Sequence, residues 1–126
     1  MTQHKEHTKA FDLFDLKSQI ESDPQHWSIH LMDFVDGFRR KQNVSLVERP
    51  FPLSNERIDA LLASTAEYLC DEATIKPPDW LVTVPACKYP WFVAGIENLK
   101  AIALAESPLR YRIRKIFVLS NFLDRV

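Results

Sequence analysis

Apolar positions along the chain recur at steps of three and four, the spacing of one helix face. Ala10, Leu13, Phe14, Leu16 and Ile20 follow it, with Phe11 broadening the stripe, and predict a first helix over 9–22. Asp23-Pro24 then signals a fresh start, because Asp suits an N-cap and Pro suits the first helical position. The helix that follows should reach position 41. Trp27, Leu31, Phe34, Val35 and Phe38 form its apolar stripe, while His26, His30, Asp33, Gly37 and Arg40 fall on the other side. Arg39, Arg40 and Lys41 crowd its C-terminal end, where cations complement the helix dipole.

Positions 43–53 break the pattern. Val44, Leu46 and Phe51 suggest an edge strand or an extended crossover, and Pro50 and Pro52 stop any regular element. Ser54 or Asn55 should cap a third helix, with Ile58, Leu61, Leu62, Thr65, Leu69 and Cys70 on one face and an end near position 73. From 76 to 90 four prolines interrupt the chain, and Trp80, Tyr89, Trp91 and Phe92 stand among or just after them. This stretch is too apolar for a free linker, so it should lie against the core, with one short helical turn near Trp80. The segment 96–106 is apolar nearly all round, which predicts a buried helix. Ser107-Pro108 repeats the cap-plus-proline signal and should open a short helix carrying Tyr111 and Arg110, Arg112, Arg114 and Lys115. Residues 116–119 read as a short strand or the buried end of that helix, and Ser120 should cap a last turn.

Composition agrees with a helical reading. Two Gly among 126 residues cannot supply the many positive-φ turns of a β-rich fold. The same scarcity removes glycine-rich phosphate loops and dinucleotide fingerprints. Cys70 and Cys87 form no CxxC or comparable pair and read as small apolar side chains. No run of 18 apolar residues predicts a membrane span, and the polar start at 1–9 lacks the apolar stretch of a signal peptide, so a cytoplasmic location is expected.

Charge separates along the chain. Residues 1–75 hold 13 acidic and 8 basic residues, and residues 76–126 hold 4 and 8. The basic cluster Arg110, Arg112, Arg114 and Lys115 could grip carboxylates or phosphates. It could equally pair within the fold. Trp80, Trp91 and Phe92 are candidate anchors for a partner, or core residues. His26, His30 and Asp33 offer a weak metal-ligand spacing without an HExxH glutamate. No GxSxG elbow or Cys–His arrangement is present, and no carboxylate pair stands out as an acid–base couple.

The run Tyr89-Pro90-Trp91-Phe92, the stretch Leu99 through Pro108, and then Tyr111, Arg112, Arg114 and Ile116-Phe117-Val118 resemble a pattern in small bacterial antitoxin-type regulators. Such proteins are found beside a nucleotidyltransferase-like partner. The resemblance covers about 40 residues and, more loosely, the helix over 55–74. Its matching positions are Trp91, Phe92, Ser107, Pro108, Arg112, Arg114 and Phe117. It implies a helical protein that acts through a partner, and it supplies no catalytic motif. The chain departs from the longer members in lacking a helix-turn-helix.

The expected architecture is therefore mostly α: a tail over 1–8 and one compact domain over 9–126 with five to seven helices and an extended Pro/aromatic-rich connection. The expected function is that of a non-enzymatic bacterial interaction or regulatory protein, of the antitoxin kind by resemblance, needing no cofactor. It would use Arg110, Arg112, Arg114, Lys115, Trp80, Trp91 and Phe92 toward a protein partner, with no membrane. One alternative is a nucleic-acid-binding transcriptional regulator using the Arg cluster. Another is a small metal-binding protein or enzyme around His26 and His30.

Overall fold

The structure, a computed structural model, describes residues 10–124. The tail expected over 1–8 lies outside the described residues. The chain is mostly helical, as the periodicity predicts. Its helices are α1 (Leu13–Ser22), α2 (Trp27–Lys41), α3 (Glu56–Glu72), α4 (Lys100–Glu106) and the single turn α5 (Leu109–Arg112). Two dipeptide strands, β1 (Trp91–Phe92) and β2 (Ile116–Phe117), pair in parallel with Trp91 opposite Ile116.

Helix α1 starts later than the apolar spacing predicts, because a capping box sets its first turn. The Asp12 carboxylate accepts the Asp15 N–H, and Asp15 returns a bond to the Asp12 N–H. Arg49 clamps both carboxylates from across the molecule. The turn before α2 is a 3-10 turn, Pro24–His26. Asp23 makes no side-chain cap there, and its carboxylate instead meets His26 and His30. Leu31, Phe34, Val35 and Phe38 are buried as the stripe predicts. Gln42, in the left-handed region at φ 49°, ends α2. The break over 43–53 holds a 3-10 turn, Val44–Val47, and no strand.

Helix α3 is the centre of the fold. Asn55 caps it by accepting the Ile58 N–H. Its contacts run to α1, α2, α5 and the 3-10 turn Asp79–Thr83. Every residue from Asp59 to Glu67 is buried, so the helix is covered all round rather than on one face. Ala60, Ala63 and Ala66 let neighbours approach closely, while Leu61, Leu62 and Leu69 each bury enough apolar surface to stabilise the fold by about 1.5–3 kcal/mol.

The reverse correction applies to α4. Its all-round apolar character predicts burial, yet among its residues only Ala103 is buried, and Ile102 and Leu104 are nearly half exposed. The helix lies on the outside, packed through Ala103 near β2. The Ser107-Pro108 signal marks the right place for a restart by a different mechanism. Ser107 is buried, donates its hydroxyl to the Ile116 carbonyl and accepts the Val118 N–H, so it ties the α4–α5 corner to β2. After α5 the chain turns at Lys115, which adopts φ 62°, and enters β2. The residues 116–117 are thus strand, the first of the two options the sequence leaves open.

Candidate functional site

The basic cluster is the natural starting point, and the fold distributes its four members unequally. Arg114 is buried, with its guanidinium against Glu67, a carboxylate on the central helix that is also buried. The same guanidinium donates to the carbonyls of Leu81 at 2.7 Å and Val84 at 3.1 Å, and to Ser64 Oγ. It fastens the proline-rich connection to α3. Arg110 holds Asp71 through two hydrogen bonds of 2.7 and 2.9 Å, and its other amine lies 3.9 Å from Glu67. The Asp71 bonds outweigh the cost of desolvation and keep the Arg110 guanidinium firmly charged. Arg114 is therefore withdrawn from any surface, and Arg110 is half committed. The N-terminal acidic excess and the C-terminal basic excess meet here, inside one fold.

Arg112 and Lys115 are different. Arg112 donates only to backbone carbonyls, those of Ser107 and Ala105, and Lys115 reaches only the Lys88 carbonyl. Both are exposed, and among the described residues neither has a carboxylate partner.

The aromatic anchors are taken up by packing. Trp80 donates its indole N–H to the Val47 carbonyl at 2.9 Å and sets its ring edge-on to Phe51. Trp91 packs against Trp27 and lies under the Arg57 guanidinium. Phe92 stacks on Phe117 beside the Lys100 ammonium. All three remain half-buried. They join the connection to the rest of the domain.

His26 and His30 do come together, but on Asp23 rather than Asp33. Asp23 Oδ1 lies 3.0 Å from His26 Nδ1, and Oδ2 lies 2.9 Å from His30 Nε2. These bonds hold the Asp23 carboxyl below its ordinary range. Among the described residues no group of three His, Cys, Asp or Glu side chains is arranged to hold a metal. Both thiols are buried. Burial, with Asp71 nearby, pushes the Cys70 thiol up to about 11, and burial raises Cys87 as well. Such thiols stay protonated and unreactive at neutral pH.

What the sequence does not single out is an apolar strip around Arg110. Val82 is 74% exposed, Leu109 69% and Ile113 55%. Val82 and Ile113 line one shallow groove with Arg110, and Leu109 and Pro108 line a second groove that shares Arg110. Leu109 and Ile113 are four residues apart in the α5 turn, linked by the Ile113 N–H to the Leu109 carbonyl. Sequence patterning misses them because α5 is one turn long, too short to show a period.

No helix among the described residues is long and apolar enough to cross a membrane. No protein-family model matches the chain, and no match was found among curated proteins or solved structures.

Proposed function

We propose that this chain is a non-enzymatic interaction protein that docks a protein partner on the strip formed by Val82, Leu109 and Ile113. The observation that carries the reading is the exposure of these three large apolar side chains along adjoining grooves. Exposed apolar patches rimmed by polar groups mark interaction surfaces. Arg112 and Lys115, which have no carboxylate partner among the described residues, follow on in the same segment of chain. The partner that fits is a protein surface with an apolar ridge bordered by Asp or Glu. Charged contacts of this kind favour encounter and register, while the apolar contacts supply affinity.

The resemblance of the C-terminal third to antitoxin-type regulators supports the same class of role. It would make the partner a toxin-like nucleotidyltransferase encoded beside this chain, in a bacterial cytoplasm. A nucleic-acid reading gains little from the geometry, because Arg110 and Arg114 are occupied by Asp71 and Glu67.

Co-expression with the product of each adjacent gene, followed by size-exclusion chromatography, tests the proposal. A stoichiometric complex is expected, and Leu109→Asp combined with Ile113→Asp should abolish it without changing the melting temperature of the free chain. Self-association through this strip, or a complex indifferent to both substitutions, would refute the reading.

A further inference from the structure

A second feature lies on the opposite part of the chain, between α1, α2 and the Val44–Val47 turn. The cavity there has a volume of about 430 Å³, within the size range of small-molecule sites. Phe34, which is buried, and Phe11, which is 44% exposed, are its aromatic walls. Asp33, Gly37, Arg40 and Lys41 supply the α2 side.

Arg40 is the informative residue. Among the described residues every other arginine is engaged. Arg39 holds Glu72, Arg49 holds Asp12 and Asp15, and Arg57 lies over Trp91. Arg110 holds Asp71, Arg112 donates to two carbonyls, and Arg114 holds Glu67. Among the described residues Arg40 is the one arginine with no hydrogen bond, ion pair or ring contact. Arg40 is exposed at the rim of the cavity. It turns back over the helix, so that a side chain begun at Gly37 would meet its Nη2 at 3.9 Å. Gly37 otherwise faces open space, and its missing side chain helps keep the cavity open.

We infer that this cavity binds a small monocarboxylate with a flat apolar body, its carboxylate on Arg40 and its body between Phe11 and Phe34. Two features point to that chemistry. A guanidinium matches a carboxylate with two parallel hydrogen bonds. Aromatic walls favour a planar body by offset or edge contact. The last turn of α2 presents carbonyl oxygens with negative partial charge, which repel an anion. Binding must therefore depend on the two cations directly, and Arg40 should be decisive.

Titration of the purified chain with benzoate, followed by amide NMR, tests this. Shifts are expected at Phe11, Phe34, Gly37 and Arg40. Benzamide, the neutral analogue, should bind at least tenfold more weakly, and inorganic phosphate, which lacks the apolar body, should also bind at least tenfold more weakly. Arg40→Gln should weaken benzoate at least tenfold. Gly37→Leu, which fills the cavity with a good helix former, should abolish binding with the melting temperature kept or raised. Failure of benzoate to bind at 10 mM, equal binding of benzamide or phosphate, or benzoate binding that survives both substitutions would each overturn the inference.

Discussion

Glu67 and Arg114 show how a buried charge is made tolerable. The carboxylate is surrounded by Arg114, Arg110 and the Ser64–Arg114 bond, and the guanidinium spends its remaining protons on the Leu81 and Val84 carbonyls. Removing one partner leaves the other charge uncompensated in the interior, which costs about 3–5 kcal/mol. Arg114→Met should thus lower stability by about that amount in urea denaturation. The double variant Glu67→Met/Arg114→Met should recover much of the loss, but not all of it. Two carbonyls, on Leu81 and Val84, would still lack the donor they have now. A double variant as unstable as the single one would show that the carbonyl bonds, rather than the ion pair, dominate. Neither residue's role is legible from spacing, since they stand 47 positions apart and a charged residue on a helix is by default expected in water.

Among the elements, α3 and α4 exchange the places that their compositions assign. Helix α3 carries charges at both ends and reads as amphipathic, yet the neutral run Ala60–Ala66 is enclosed on all sides. That uninterrupted run was the available sign of a central helix. Helix α4 has no polar face, yet with only seven residues it offers little area to bury, and the core is already filled by α3. Substitution should separate the two. Leu61→Ala in α3 is expected to cost about 2–5 kcal/mol. Ile102→Ser and Leu104→Ser in α4 should each stay within about 0.5 kcal/mol, as surface changes do. Thermal or urea melts distinguish these outcomes, and a large loss at Leu104 would place α4 in the core. The start of α1 makes a prediction in pH. Burial raises the Asp12 carboxyl, but Arg49 and the Asp15 bonds outweigh it and hold the group below its ordinary value of 3.8. A carboxyl lowered on folding contributes stability above its unfolded value and loses it as pH falls through the folded one. Asp12→Ala should therefore cost about 1–2 kcal/mol at neutral pH, as caps do. It should also flatten the fall in stability on acidification below pH 4. An unchanged acid limb would assign that fall to other carboxylates. The cap itself escapes a search for Ser or Thr followed by Glu, because both partners are aspartates.

At the scale of the whole molecule, helix content and the three long helices are readable from periodicity, because each is long enough to show two or more turns of pattern. The C-terminal third is read less well. Its elements are a seven-residue helix, a single turn and two dipeptide strands, whose positions depend on partners distant in the chain. Proline and serine mark the breaks at 24 and 107–108 correctly, while Asp23 and Ser107 bond to groups other than those a cap would choose. The basic cluster divides in the same way: its sequence shows four cations, and only the fold shows that Arg114 faces inward and Lys115 outward.

The ties that enclose α3 and its neighbours come late in the chain. Tyr111 bonds Thr65 across 46 positions, Arg114 meets Glu67 across 47, and the Leu123 carbonyl accepts from Arg39 across 84. During synthesis the ribosome releases α1, α2 and α3 first, when Glu67 has no counter-ion and Thr65 no partner. Such a half-made protein presents one apolar side of its central helix to water until residues 111–123 emerge. The arrival of Tyr111, Arg114 and Leu123 is the moment at which the domain closes. A chain cut short near α4, by nonsense mutation or protease, would leave that side open and should be recognised by chaperones and cleared.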